Sequence, residues 1–170
     1  MIIKLGIIGF GGMGKWHAQN APRAGVEIAA VCDIAEEKQK EAIEMGYRLY
    51  TNADELLADP EVNTVILTVP NYLHNPISID CLRAGKDVLC EKPAAKTYAL
   101  AKEMADAAHE TGRILNIGVV NRFNKAVNMV KDYVDAGKLG EVYHVYCSFR
   151  AHRSIPGLGG EFVTSVTNRD

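Results

Sequence analysis

Apolar runs and turn residues alternate along this chain in a strand–helix–strand rhythm. Lys4–Ile8 is short, almost wholly apolar and closed by glycine, the pattern of a strand buried on both faces. A glycine turn leads into a helical stretch over Met13–Arg23, which Pro22 is expected to end early. Glu27–Cys32 reads as a second buried strand, and Ala35–Met45 as a charged, solvated helix stopped by Gly46. Asn52 caps a short helix through Ala58, with Glu55 at its third helical position, and Asp59-Pro60 breaks it.

Thr64–Val69, rich in β-branched residues, is the next expected strand. Asn75-Pro76 reads as a cap followed by a first-turn proline, opening a helix that ends near Gly85. Asp87–Cys90 and Arg113–Val119 are predicted strands on either side of a helix over Thr97–Thr111. That helix carries Leu100, Met104, Ala107 and Ala108 on one face. Val127, Val130 and Val134 mark the stripe of a further helix ending at Gly137. Glu141–Arg150 alternates through Val142, Val145, Cys147 and Phe149, which predicts a half-exposed strand of another sheet. Beyond Arg150 the pattern fails. The expected fold is α/β, a doubly wound parallel sheet over residues 1–120, with 121–170 beginning something unfinished.

Composition narrows the function. The 170 residues are 48% hydrophobic and 24% charged, an ordinary globular balance. Nineteen basic against twenty-one acidic residues leave a formal charge of −2, so no field for nucleic acid is visible. No apolar run is long enough to cross a bilayer. The cysteines at 32, 81, 90 and 147 form no C-x-x-C pair and no zinc spacing, so no metal site is expected. Scattered thiols suit a reducing compartment, and Met1–Ile8 is too short and too weakly basic for a signal peptide. A cytoplasmic protein is expected.

Gly9-Phe10-Gly11-Gly12-Met13-Gly14 matches G-x-G-x-x-G where the motif has meaning, between a buried strand and a helix. The first glycine permits the turn, the second lets the backbone approach a diphosphate, and the third lets helix and strand pack closely. Helix N–H groups and the positive dipole end then hold the phosphates. Asp33 closes the second strand nineteen residues after Gly14. A carboxylate there accepts both hydroxyls of an adenosine ribose and repels a 2′-phosphate, which favours NAD over NADP. The bland alternative is a strand–turn–helix in which Asp33 only caps the next helix.

Cys90-Glu91-Lys92-Pro93 follows the strand at 87–90. Ligands of open α/β sheets sit beyond the carboxyl ends of strands, so Lys92 there could polarise a substrate oxygen or move a proton. Taken alone, the tetrapeptide fits a solvated ion pair better. Among the other candidates, Trp16 reads as packing on the sheet, and His17 and His109 as surface or packed residues.

Taken together, the glycine turn, Thr68-Val69-Pro70-Asn71-Tyr72-Leu73-His74, Ala84–Pro93 and Asn121-Arg122-Phe123 resemble the Gfo/Idh/MocA oxidoreductases over residues 2–150. The resemblance implies an N-terminal Rossmann domain that binds NAD(P) and a second α/β domain for substrate and oligomer contacts. It implies Lys92 beside the nicotinamide and the substrate hydroxyl, with Glu91 next to it. It implies Pro70, Asn71 and His74 on a loop along the cofactor, and Asn121 and Arg122 bordering the active site. The implied reaction oxidises a secondary alcohol of a sugar or cyclitol, in a protein that forms homo-oligomers at full length.

The chain departs from the family at its end. Where an Asp and a His four residues later would follow the glycine pair Gly159-Gly160, Ser165 and Arg169 stand instead. The general base is therefore expected beyond residue 170, in a chain that binds cofactor and turns over poorly. A non-catalytic dinucleotide sensor and an interaction subunit pairing through its last strand remain the competing readings. Lys92 separates them from a dehydrogenase, because a sensor gains nothing from an ammonium at that place.

Overall fold

The computed structural model describes residues 2–148. They fall into two compact units, one ending at Val119 and one beginning at Val120. Expectations placed on Phe149, Arg150, Gly159-Gly160, Ser165 and Arg169 lie outside the described residues.

The first unit is a six-stranded parallel sheet: β1 (Lys4–Ile8), β2 (Glu27–Cys32), β3 (Leu49–Tyr50), β4 (Thr64–Leu67), β5 (Asp87–Cys90) and β6 (Leu115–Ile117). Their order is β3-β2-β1-β4-β5-β6, the doubly wound arrangement with its reversal between β1 and β4. Alternate residues of each strand face opposite layers. Ile8, Ala30, Cys32, Val65, Leu67, Val88 and Cys90 pack with Leu56, Cys81, Leu82 and Met104. These come from the helices α3 (Ala53–Ala58), α4 (His74–Arg83) and α5 (Tyr98–Thr111). Leu5, Ile7, Val31 and Ile66 pack instead with Phe10, Ala18 and Ala42. The last two belong to α1 (Gly12–Asn20) and α2 (Glu36–Glu44). Burial on both faces explains why these strands read as unbroken apolar runs.

Register positions the site. Cys32 pairs with Ile8, Ile8 with Leu67, Leu67 with Cys90, and Cys90 with Ile117. The strands therefore end in one row, and the residues that follow them form the next row: Asp33, Gly9, Thr68, Glu91 and Gly118. Backbone bonds carry the ladder into that row. Gly9 N–H donates to Cys32 O at 2.8 Å, Thr68 to Ile8 at 2.9 Å, Glu91 to Leu67 at 3.0 Å and Gly118 to Cys90 at 2.8 Å.

At the opposite edge, Asp59 ties the β3 side to the loop before β4. Its carboxylate accepts Glu61 N–H at 2.8 Å, Tyr50 O–H at 3.1 Å and the Arg48 guanidinium at 2.8 Å. The Glu61 N–H above all, with Tyr50 and Arg48, holds the carboxyl below its usual range. The buried Lys86 ammonium donates to the carbonyls of Asp59 and Val62.

The structure revises several boundaries. α1 ends at Asn20, where a 3₁₀ turn over Ala21–Ala24 takes up Pro22. No residues were assigned in advance to β3, since two residues show no period. Asn75 caps nothing: a 3₁₀ turn over Asn71–Leu73 starts the helix two residues earlier, and the Asn75 amide donates to Leu100 O at 2.8 Å on α5. Trp16 is 54% exposed and does not pack on the sheet. Residues 141–148 form no strand, because they find no ladder partner among the described residues. Cys32, Cys81 and Cys90 are buried, and burial pushes their thiols up to about 11, 12 and 11, so they pack rather than react.

The second unit contains a 3₁₀ turn over Val120–Phe123 and the helix α6 (Lys125–Asp135). The Asn124 side chain caps α6, accepting from Ala126 N–H at 2.9 Å and Val127 N–H at 3.3 Å. No helix among the described residues is long and apolar enough to cross a membrane.

Candidate functional site

The site lies along the row at the carboxyl ends of the strands, centred where the sheet reverses between β1 and β4. Each glycine of the turn has its own reason. Gly9 has φ +94°, and a Cβ on it would lie 2.9 Å from the Thr68 backbone. Gly14 is tighter: its Cβ would come 2.1 Å from the Gly9 carbonyl oxygen. These two serve the fold. Gly11 and Gly12 do not, since among the described residues nothing beyond their own chain neighbours and helix backbone lies within 4 Å of a Cβ built on either.

Helix α1 starts beside this open space without a side-chain cap, and its first backbone bond from the turn is Lys15 N–H to Gly11 O at 3.0 Å. Uncapped N–H groups at a helix start, next to room that only glycine leaves, suit a diphosphate. The Thr68 hydroxyl donates to the Gly9 carbonyl and fixes the turn from β4.

Asp33 makes two backbone contacts. Its Oδ2 accepts Phe10 N–H at 2.6 Å, and its Oδ1 accepts Ala35 N–H at 2.9 Å. The carboxylate thus ties the glycine turn to the start of α2. Each oxygen keeps a further lone pair for ribose hydroxyls. The donor set and the room around Gly11 and Gly12 fit a dinucleotide.

Three expected cofactor contacts are revised, because their groups are already engaged. The Phe10 ring is fully buried, 5.8 Å edge-on from Tyr47, and its N–H is taken by Asp33. His74 is 1% exposed, with Nδ1 2.7 Å from Pro93 O and Nε2 2.9 Å from Val69 O. Its ring spans the loop after β4 and the turn after β5, so it acts through their shapes. Glu91 is buried, with Oε1 2.9 Å from His17 Nε2 and Oε2 accepting Lys92 N–H at 3.2 Å. Met13, by contrast, is half exposed at the turn, and Pro70 and Asn71 lie on the surface loop after β4.

Lys92 follows Glu91 in an exposed position and is joined to Pro93 by a cis peptide bond. Its ammonium has no partner among the described residues. The structure thus brings the glycine turn, Asp33, the Pro70–Asn71 loop and the Lys92 turn to one edge of one sheet. Asn121 and Arg122 are exposed in the second unit. No group of three His, Cys, Asp or Glu side chains among the described residues could hold a metal ion.

His17 is the residue that sequence reasoning missed. It stands three positions after Gly14 on α1, and so on the sheet-facing side that also buries Gly14 and Ala18. That spacing was the available signal.

Comparison with known proteins agrees with this geometry. An inositol 2-dehydrogenase of Salmonella paratyphi B is 32% identical over 152 residues, covering 86% of this chain and 45% of that protein. One from Pseudomonas savastanoi pv. phaseolicola is 28% identical over the whole chain and 51% of its own length. The chain spans about half the length of these curated relatives. Among solved structures, the WlbA dehydrogenase of Bordetella pertussis in complex with NADH and UDP-GlcNAcA superposes with a TM-score of 0.80. It is 29% identical, over 84% of this chain and 45% of that one. The family model described as "Oxidoreductase family, NAD-binding Rossmann fold" matches residues 3–119, and on that match the chain belongs to the Gfo/Idh/MocA oxidoreductases.

Proposed function

We propose that this chain forms the dinucleotide-binding part of an NAD-dependent dehydrogenase acting on a secondary alcohol of a sugar or cyclitol. The observation that carries the reading is the shared edge. A turn with room at Gly11 and Gly12, a carboxylate at Asp33 and, at Lys92, an ammonium with no partner among the described residues all follow strands that end in register. The dehydrogenases named among the relatives and neighbours support the reaction class.

The N–H groups from Gly11 to Met13 would hold the diphosphate, and Asp33 the adenosine ribose. Pro70 and Asn71 would border the rest of the cofactor. Bound NAD supplies the hydride acceptor. Lys92 orients the substrate hydroxyl and stabilises the negative charge that grows on its oxygen during oxidation. Asn121 and Arg122 would face the substrate. His74 and Glu91 hold the Lys92 turn in shape. We place the protein in the cytoplasm, where its free thiols stay reduced.

Fluorescence titration with NADH and NADPH tests the cofactor assignment. NADH is expected to bind at micromolar Kd and at least about tenfold more tightly than NADPH, a difference of about 1.4 kcal/mol. Asp33→Ala should weaken NADH and erase the preference. Equal or tighter binding of NADPH by the wild-type chain would overturn the assignment.

A further inference from the structure

We propose that His17 is a positioning residue for Lys92, acting through Glu91, and that it links the helix behind the glycine turn to the turn that carries the ammonium. The proposal rests on the dehydrogenase reading for what Lys92 does, but its geometry stands apart from that reading.

The Glu91 carboxylate is held from two directions. His17 Nε2 lies 2.9 Å from Oε1, with the two side chains only 15% and 12% exposed. Oε2 accepts the Lys92 backbone N–H at 3.2 Å. Gly118, just after β6, gives the carboxylate its space, since a Cβ there would lie 3.3 Å from Oε2. The Glu91 backbone is itself pinned to β4 through Leu67 O. Moving His17 therefore frees the carboxylate, and freeing the carboxylate releases the N–H of the residue next to it.

Stability alone does not account for such a pair. A partly buried polar pair such as His17–Glu91 is often no better than two apolar side chains of similar volume. The neighbourhood would suit apolar packing: His17 also lines a cavity of about 310 Å³ whose walls include Leu5, Val26, Ile66 and Leu89. Those low-dielectric walls strengthen the bond and narrow its geometry. What the pair adds is direction. It ties a helix that starts at the diphosphate-binding turn to the backbone on which Lys92 sits.

The test uses His17→Ala, with His17→Gln as the conservative variant, because a glutamine amide can still donate to Glu91. His17→Phe, which fills the space without a matching donor, replaces the alanine variant if that one does not fold. The first readout needs no cofactor: hydrogen exchange at the Lys92 amide, followed by NMR. His17→Ala is expected to speed that exchange at least about tenfold, and His17→Gln to restore most of the protection. The second readout is turnover by the complete gene product. There the alanine variant should lose about tenfold in kcat with KM little changed, again recovered by glutamine.

Unchanged exchange at Lys92 in the alanine or phenylalanine variant would overturn the proposal. So would alanine and glutamine variants that differ from wild type equally, in thermal stability alone. If the wild-type chain binds no NADH, the functional reading fails, while the exchange result still decides whether His17 positions Lys92.

Discussion

Replacing Gly14 and Gly11 by alanine is expected to separate folding from binding within a single turn. Alanine is favoured over glycine by about 1 kcal/mol inside a helix, so propensity alone would make Gly14→Ala stabilising. The structure reverses that sign. The new methyl would lie 2.1 Å from the Gly9 carbonyl oxygen, which is itself fixed by the Thr68 hydroxyl. Overpacking against backbone costs about 3 kcal/mol or more when the neighbour cannot give way. With about 2–4 °C lost per kcal/mol at this chain length, Tm should fall by about 6–12 °C.

Gly11→Ala meets nothing within 4 Å among the described residues beyond its chain neighbours, at a φ of −72° that any residue adopts. Its Tm should therefore stay within about 2 °C of wild type, the scale of a neutral surface change. The methyl fills room left for the diphosphate, so NADH affinity should drop at least about tenfold. Differential scanning fluorimetry and NADH titration on the same two variants read both effects. A Gly11→Ala chain that binds NADH normally would remove the turn from the binding site.

Lys92→Ala carries the largest expected effect on catalysis. A donor that meets charge as it develops is worth about 10²–10³ in kcat, or about 3–4 kcal/mol. The variant of the complete gene product should lose at least that much in turnover of a cyclitol or sugar, while its NADH Kd changes little. The side chain is exposed and unpaired among the described residues, so no structural loss should confuse the result. Near-normal turnover would remove Lys92 from the mechanism. It would favour the alternative of a dinucleotide sensor, in which the ammonium has no task.

How much of this was legible before any coordinates depends on how far apart the cooperating residues lie. β1, β2 and β5 match their expected bounds because each is an apolar run cut by a turn residue or the end of a helix. β3 could not be seen: Leu49 and Tyr50 form a strand only because Val31 and Cys32 offer a ladder. The alternation over 141–148 says only that a strand could form, and pairing decides whether one does. Asn75-Pro76 has the chemistry of a helix start, but the chain had already turned at Asn71.

The site divides in the same way. Gly9, Gly11, Gly14 and Asp33 act through local backbone geometry and a fixed spacing, so sequence suffices to find them. The groups that engage His74 and Glu91 are separated by distance along the chain: 19 residues from His74 to Pro93, and 74 from His17 to Glu91. Nothing in a run of neighbouring residues announces those pairs. The register of the sheet creates them.

A crystal structure of this chain with NADH shows directly whether the dinucleotide seats along this edge of the sheet. The diphosphate is expected on the N–H groups of Gly11 and Gly12, the ribose hydroxyls on Asp33, and the Lys92 side chain turned toward the nicotinamide. A dinucleotide bound elsewhere, or Lys92 extended into bulk solvent with the ligand in place, would contradict that placement.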